Sequence, residues 1–198
     1  MNIQYTTIGT TEPVSLAEMK AFLGEAGDHH DALITSLITA ARERAEIFLN
    51  RSILDRRMVL MIDDIPEGMK VKLPRGPIKD FVSVEYVDRD DEIQTLDSDN
   101  YTSHIGTDPG MLVFESAIPG KKQGINTIHI TYDTGYGNRE VYGTAYQNPL
   151  PGAIVNAIKM IVFTMYDHRD DIVRGTIVTQ LPQNAEYLLT PYRIFEFM

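Results

Sequence analysis

Two short stretches of the sequence contain the residue types that bind metal ions. "GDHHD" offers His29, His30 and Asp31 as ligands. Adjacent residues on a helix point about 100° apart, however, and no residue four positions away completes a ligand set. The pattern better fits the start of a helix, with Asp28 as the cap and Asp31 facing the helix dipole.

The acidic stretch "DRDDEIQTLDSD" has the carboxylate density of a calcium loop. It lacks the glycine that an EF-hand requires at its sixth position, so we predict a solvated turn between two strands. In "YDHRDD", His168 and Asp171 have the spacing of a hydrogen-bonded pair on a helix. No serine or cysteine nucleophile stands in a matching motif, which favours a surface network over a catalytic triad.

Glycine-rich phosphate loops are also missing, since neither "RGPIKD" nor "TGYGNRE" matches a nucleotide-binding motif. "TGYG" instead predicts the end of a strand, where glycines supply positive φ angles. The sequence therefore predicts no catalytic, cofactor-binding or metal-binding residues, and we expect a protein that is not an enzyme.

The composition narrows the class of protein further. The 28 acidic residues outnumber the 18 basic ones among 198, which gives a formal net charge of -10. This charge disfavours a protein that coats DNA by neutralising phosphates. Cysteine is absent, which excludes disulfides and thiolate chemistry. The N-terminal residues show no signal pattern, and the longest apolar run is too short for a bilayer. We expect a soluble protein without membrane contact.

The elements that position these residues begin with a helical hairpin. Ser15 and Glu18 have capping-box spacing and Gly24 is typical of a helix end, which predicts a first helix over residues 15–24. A second helix is predicted over residues 29–50, where apolar residues recur at helical spacing: Ile34, Leu37, Ile38, Ala41, Ala45 and Phe48.

The middle of the chain predicts strands. "RSILDRRMVLMID", "MKVKLP", "DFVSVEYVD", "GMLVFES" and "NTIHITYDTGYG" are rich in Val, Ile, Tyr and Phe and are separated by turn residues. Strands at this spacing predict an antiparallel sandwich or a small barrel. A third helix follows over residues 148–173, with an apolar stripe broad enough to be covered on more than one side.

The chain ends on an apolar stretch, "AEYLLTPYRIFEFM". Gly175, Pro182 and Pro191 interrupt any long helix, so we predict an extended arm. The predicted fold class is α+β: a helical hairpin and a C-terminal helix form a bundle, with an inserted antiparallel sandwich or barrel-like module. The predicted divisions are residues 1–50 for the N-terminal segment and hairpin, 51–147 for the β module, 148–173 for the helix and 174–198 for the arm.

Several of these stretches together resemble one family. "EPVSLAEMKAFLG", followed by "DHHDALITSLITAARERAEIFLNRSI", is similar to the opening of the head-to-tail connector (head-completion, or adaptor) proteins of tailed bacteriophages. "LPRGPIKDFVSVEYVDRDDEIQTLDSDNY", "ITYDTGYG", "LPGAIVNAIKMIVFTMYDHRDDIV" and "LLTPYRIF" follow in the order typical of the family. Two departures are Asp91-Glu92, where a turn glycine is common, and the long "NREVYGTAYQN" segment before the third helix.

The resemblance implies a structural virion protein without cofactors. Such adaptors form rings of identical subunits, usually twelve, that join the portal of the DNA-filled head to the neck or tail and let double-stranded DNA pass without sequence-specific binding. The implied partners are further copies of the chain, the portal protein and the next neck or tail-completion protein. The implied location is the head-tail junction of the virion, after assembly in the host cytoplasm.

The resemblance also assigns candidate contact residues. It implies that the arm binds the portal or a neighbouring subunit through Leu188, Leu189, Tyr192, Arg193, Ile194, Phe195 and Phe197. The polar side of the second helix is the candidate subunit interface, with Arg42, Arg44, Glu46 and Arg51. Two alternatives remain open. The chain could be a stopper or tail-completion protein of the same neck, or a small metal-binding or enzymatic β module using His104, His129 or the loop from Asp88 to Asp91.

Overall fold

The structure is a computed structural model, and it describes residues 2–141, 144–167 and 181–195. The chain divides into two compact units. The β unit contains Met1–Thr10 and Leu54–Pro149, and the helical unit contains Thr11–Ile53 and Leu150–Met198. The α+β class predicted from the sequence is confirmed, with helices and antiparallel sheets both present.

The helical unit contains four α-helices in the described part of the chain. They are α1 (Leu16–Leu23), α2 (Asp31–Leu49), α3 (Gly152–Asp167) and α4 (Gln183–Leu189). Helix α3 packs against α2 and α4, while α1 contacts α2 and α3. The predicted apolar stripe of α3 is buried, including Ile154, Ala157, Ile158, Ile161 and Val162. The predicted continuation of this helix to residue 173 lies outside the described residues beyond Asp167.

The ends of α1 confirm the sequence signals. The Ser15 hydroxyl accepts a hydrogen bond from the Glu18 backbone N–H at 3.2 Å, and the Glu18 carboxylate accepts one from the Ser15 N–H at 3.0 Å. Gly24 ends the helix with φ 74, and its N–H donates to the Lys20 carbonyl. This left-handed conformation suits glycine because it has no Cβ.

The start of α2 differs from the prediction. His30 occupies the N-cap position without a side-chain cap, so the prediction that Asp28 caps this helix is wrong. The Lys20 ammonium instead donates to the carboxylates of Asp28 at 2.9 Å and Asp31 at 2.7 Å. The Lys20 hydrogen bond lowers the pKa of the Asp28 carboxyl. The start of α2 is therefore held by ion pairs from Lys20 of α1 instead of by a side-chain cap.

The β unit is built from two antiparallel sheets and a hairpin. The five-stranded sheet has the order β1-β2-β8-β4-β5, the three-stranded sheet has the order β3-β7-β6, and β9 pairs with β10. The strands are β1 (Asn2–Thr7), β2 (Arg56–Ile62), β3 (Lys70–Leu73), β4 (Ile78–Val87), β5 (Ile93–Thr95), β6 (Tyr101–His104), β7 (Gly110–Phe114), β8 (Ile128–Thr134), β9 (Gly137–Val141) and β10 (Thr144–Asn148).

One hydrophobic core serves both larger sheets. The five-stranded sheet contributes buried residues such as Met58, Leu60 and Ile130, and the three-stranded sheet contributes Leu73 and Leu112. Burial of such side chains is the main source of stability in a domain of this size. The five-stranded sheet begins at β1 and ends at β5 without closing on itself, so the barrel alternative is wrong for the described residues.

Four strand regions were not predicted, namely β1, β5, β6 and the β9–β10 hairpin. Residues 2–7 form β1 and pair with β2 in the β unit, although the sequence analysis assigns residues 1–50 to the hairpin part. The "NREVYGTAYQN" segment forms most of the β9–β10 hairpin, which accounts for its length. The "TGYG" prediction is confirmed, since β8 ends at Thr134 and is followed by Gly135 at φ 130 and Gly137 at φ 122.

The end of the chain also differs from the prediction. Residues 183–189 form α4 and Thr190–Tyr192 form a 3-10 turn, so an extended arm is wrong for these residues. Ala185 and Leu189, one helical turn apart, are both fully buried, and this burial favours the helix. Residues 168–180 and 196–198, including the predicted arm residue Phe197, lie outside the described part. No helix in the described ranges is long and apolar enough to cross a membrane.

Candidate functional site

The C-terminal segment, defined here as residues 181–195, is hydrogen-bonded to the end of α2. The Ile194 N–H donates a hydrogen bond of 2.9 Å to the carbonyl of Leu49, the last residue of α2. The Nε–H of Arg51 donates to the Tyr192 carbonyl. Terminal helix carbonyls lack intrahelical partners. The C-terminal segment therefore satisfies a backbone group that α2 leaves open.

Burial divides the residues predicted to form the portal-binding or subunit-binding arm. Leu189 is fully buried inside the helical unit. Leu188, Tyr192 and Ile194 are partly buried. Arg193 and Phe195 are exposed, and Phe195 keeps 57% of its surface accessible. Leu189 therefore stabilises the subunit itself, while Arg193 and Phe195 are accessible to another molecule.

Arg193 lies between two aromatic rings. Its guanidinium carbon is 4.8 Å from the centroid of Phe48 on α2 and 5.2 Å from that of Phe195. A cation over an aromatic face is attracted by the ring quadrupole. The stack holds Phe195 in place while leaving it exposed. Arginine and aromatic residues are also enriched in the energetic centres of protein interfaces.

Arg42 and Glu46, two residues of the predicted subunit interface, lie in the interior of the helical unit. Arg42 Nε is 2.9 Å from Glu12 Oε2, and Arg42 Nη1 is 2.9 Å from Glu46 Oε2. The second Glu46 oxygen accepts the Ile53 N–H at 2.7 Å. Burial opposes the charge on Arg42, but Glu12 and Glu46 outweigh this effect and raise the pKa of the guanidinium.

This buried network changes what the four predicted interface residues can do. Arg42 and Glu46 are 4% and 3% exposed, which leaves almost no side chain to contact a neighbour. Arg44 and Arg51 are partly exposed and retain accessible surface. Glu12 was not among the residues predicted to form this interface. The Arg42–Glu46 spacing of four residues was the available signal for a pair on one helix face.

The alternative β-module site is dispersed in the structure. The Nε2–H of His129 donates to the Asn126 carbonyl at 3.0 Å, and His104 lies on β6. The Asp88 carboxylate accepts the backbone N–H groups of Asp90 and Glu92, so residues 88–92 form a turn between β4 and β5. The rest of the acidic stretch was also predicted as a turn, and this is wrong for Ile93–Thr95, which form β5. In the ranges that the structure describes, no group of three or more His, Asp or Glu residues could hold a metal ion.

The other predicted polar clusters are likewise accounted for. His30 Nδ1 lies 2.7 Å from the Tyr166 hydroxyl, which also donates to Glu25, so this histidine takes part in a contact between α2 and α3. Asp91 adopts φ 67, consistent with its position where a turn glycine is common. Of "YDHRDD", His168, Asp170 and Asp171 lie outside the described residues.

Comparison with known protein families gives a match to the family described as "Phage gp6-like head-tail connector protein", over residues 13–105. The predicted resemblance to head-tail connector proteins is confirmed. The match begins before α1 and ends just after β6, so it includes parts of both units of the structure. The Arg42–Glu46 pair and Phe48 fall inside it, whereas the C-terminal segment lies beyond it. Comparison with curated proteins finds no match.

Solved structures share the fold of this chain over nearly its whole length. A chain from the neck of an empty gene transfer agent (GTA) particle with C6 symmetry is 16% identical, with a TM-score of 0.68. A chain from the virion of a native GTA particle is 16% identical with a TM-score of 0.71, and one from a native GTA neck with C12 symmetry is 17% identical with a TM-score of 0.68. In all three, 98% of this chain and 97% of the other are covered.

Proposed function

We propose that this protein is a subunit of the adaptor ring that joins the portal of a DNA-filled phage head to the neck and tail. The observation that carries the proposal is the match of residues 13–105 to the head-tail connector family. The similarity to whole neck chains of GTA particles supports it, because the matched length includes the C-terminal segment. The role is structural, and the protein acts without enzymatic activity or a cofactor.

The ring contains identical copies, with twelve as the expected number. One GTA neck with a similar chain was computed with C12 symmetry and another with C6, and both symmetries are compatible with a dodecameric layer. The further partners are the portal protein above the ring and the next neck or tail-completion protein below it. The protein reaches this site from the host cytoplasm, where the particle assembles.

The exposed part of the C-terminal segment is the proposed contact with the portal or a neighbouring subunit. Arg193 and Phe195 present a charge and an apolar ring, and Arg193 is held over the rings of both Phe48 and Phe195. Little further conformational entropy is lost when such a fixed pair binds. Leu189 acts indirectly, because its burial holds the segment on the helical unit.

The acidic balance fits a ring through which DNA passes. The net charge of -10 makes the average surface repel phosphate groups, so double-stranded DNA can slide through without adhering. A basic channel would instead bind the phosphates by releasing counterions. This argument concerns the lining of the channel and requires no base-specific contact.

A cryo-EM reconstruction of virions that contain this chain tests the proposal. We expect a ring of identical copies directly below the portal. A position in the layer below would support the stopper or tail-completion alternative instead. Absence of the chain from the head-tail junction would overturn both. Light scattering and metal analysis of the purified protein would identify a metal-binding monomer, which is the outcome expected for a separate β module.

A further inference from the structure

Helix α2 carries a row of exposed apolar residues on the side opposite its buried one. Leu33, Ala40 and Ile47, which we call the α2 row, recur every seven residues and are all exposed, Ile47 at 74%. Residues seven apart lie two helical turns from each other on nearly the same side. The buried side of α2 includes Ile38 and Ala45. The α2 row is therefore an apolar helix surface directed away from the core of the helical unit.

The α2 row has a depression at its centre. Ala40 carries a single methyl group, and the exposed Ser36, one turn before it, is nearly as small. Leu33 and Ile47, on either side, have larger branched side chains. Small residues between large ones on a helix surface leave room for the side chain of a packing partner. The α2 row therefore has the shape that receives another helix.

A second exposed apolar surface lies on the other helices of the same unit. The rings of Phe22 on α1 and Phe163 on α3, which we call the phenylalanine pair, meet edge to face with centroids 6.4 Å apart. Each is 48% exposed. Because α1 and α3 pack on the buried side of α2, the phenylalanine pair cannot cover the α2 row of its own subunit.

Each of the two surfaces has one unpaired charge at its end, and the two charges are opposite in sign. Arg193 stacks on Phe48, the neighbour of Ile47, and no carboxylate in the described ranges pairs with it. Stacking leaves the N–H groups at the edge of a guanidinium free to bind a carboxylate. Asp167 is exposed one helical turn after Phe163, and among the described residues it has no ion-pair partner.

The remaining charges beside these surfaces do not alter this balance. They have interactions within their own subunit: Arg44, Glu43 with Arg42, and Lys159 with Glu18. The chain thus carries an apolar surface with a free cation and a different apolar surface with a free carboxylate. Each supplies what the other lacks, so a second copy of this chain fits both.

We propose that the phenylalanine pair of one subunit docks on the α2 row of the next, with Asp167 of the first bound to Arg193 of the second. The occupant of the α2 row is therefore a second copy of this chain. Contact between two different surfaces is heterologous, and it produces a closed ring when the rotation between copies is suitable. The inference rests on the proposed ring and adds the surfaces through which its helical units associate.

The ion pair fixes how the two surfaces meet. Arg193 lies at the Ile47 end of the α2 row, and Phe163 is one helical turn from Asp167. The pair would therefore place Phe163 beside Ile47. The other ring of the phenylalanine pair, 6.4 Å away, would reach towards the depression in the middle of the row. The contact would bury apolar surface that is exposed in the single subunit.

Charge reversal in the full-length protein tests the contact. Arg193→Asp and Asp167→Arg each place like charges opposite one another, and we expect each to reduce the number of copies per purified virion about tenfold or more. The double variant restores opposite charges between neighbours and should recover to within about twofold of the parent. Asp167→Arg should keep the melting temperature of the isolated subunit, because Asp167 is exposed.

Other outcomes contradict the proposal in distinct ways. A loss caused by Arg193→Asp that Asp167→Arg does not repair would assign Arg193 to the portal and overturn the contact between subunits. Parental copy numbers in both single variants would also overturn it, while leaving the proposed function intact.

A different result would separate the contact from the proposed function. If the parent chain is absent from the head-tail junction, the proposed function fails, and light scattering of the concentrated purified proteins then decides the contact. Self-association that is lost in each single variant and regained in the double variant would support it. A monomeric parent protein would overturn it.

A substitution in the α2 row tests the apolar part of the contact. Ile47→Lys places an ammonium group in the row, while Ile125→Lys makes the same change at an 82% exposed isoleucine of the β unit. We expect about tenfold fewer copies per virion for Ile47→Lys and the parental number for Ile125→Lys. Neither should change the melting temperature of the subunit, since both side chains are exposed. Equal copy numbers for the two variants would overturn the proposal.

Discussion

Arg42 and Glu46 form an ion pair across one turn of α2, with 2.9 Å between Nη1 and Oε2, and their side chains are 5% and 4% exposed. Glu12 and the Ile53 N–H complete the hydrogen bonding of this pair. Buried charges require such partners because the interior cannot solvate them. The network therefore belongs to the fold of the helical unit.

Replacing Glu46 by alanine should destabilise the subunit. The substitution leaves the Arg42 guanidinium and the Ile53 N–H without their buried acceptor, and breaking a buried pair in this way costs about 3–5 kcal/mol. Glu43, whose side chain is 59% exposed beside the same arginine, provides the control. Its alanine variant should change the free energy of unfolding by less than about 0.5 kcal/mol. Similar free energies of unfolding for Glu46→Ala and Glu43→Ala in urea denaturation would contradict a stabilising role for the buried pair.

Alanine substitutions at Leu189 and Phe195 should have different effects, the first on the stability of the subunit and the second on its assembly with the portal. Leu189→Ala removes a fully buried side chain and should lower the free energy of unfolding by about 2–5 kcal/mol. Phe195→Ala removes an exposed ring and one cation–π contact, a loss of about 0.5–1 kcal/mol, but should weaken binding to purified portal rings. Truncation after Pro182 should resemble Leu189→Ala in thermal melts. A truncated chain with unchanged stability would show that the C-terminal segment contributes nothing to the core.

The β4–β5 turn should loosen in acid. The backbone N–H of Glu92 and the amide of Gln94 hold the pKa of the Asp88 carboxyl below its usual value. Because the folded pKa is depressed, the stabilisation is present above the unfolded pKa of about 3.9 and is lost as the pH falls through the folded pKa. We expect the Asp90 and Glu92 amide resonances to shift together over that range.

Asp88→Asn is the control for this titration, since asparagine keeps an acceptor oxygen but cannot be protonated in this range. In this variant the Asp90 and Glu92 amide signals should be nearly independent of pH. An unchanged transition would assign the effect to one of the neighbouring carboxyl groups instead of Asp88.

Gly135 should not tolerate a side chain. At φ 130, a Cβ atom there would lie 2.5 Å from Asp55 Oδ1 and 2.9 Å from the Leu54 carbonyl oxygen. Gly135→Ala should therefore lower the free energy of unfolding by at least about 1–3 kcal/mol. Gly68→Ala, where nothing lies within 4 Å of the added Cβ, should stay within about 0.5 kcal/mol of the parent protein. Equal melting temperatures for the two variants would refute the steric argument.

Local signals in the sequence were sufficient for several elements. Ser15, Glu18 and Gly24 determine the ends of α1, because each acts on backbone groups within a few residues of itself. The apolar periodicity of α2 and α3 was equally informative, since a helical stripe depends on spacing along one segment. The order of the motifs was enough to indicate a resemblance to the connector family, and the match over residues 13–105 confirms this resemblance.

Only the tertiary structure decided the positions of β1, α4 and the Arg42–Glu46 pair. Strand β1 depends on pairing with residues about fifty to sixty positions away, and its mostly polar sequence carries no burial pattern. Leu189 and Arg42 could each have faced solvent or a partner, and local spacing cannot distinguish these environments. Helix caps and apolar helix stripes depend on residues that are close in the sequence. Burial instead results from contacts between segments that the chain brings together only on folding.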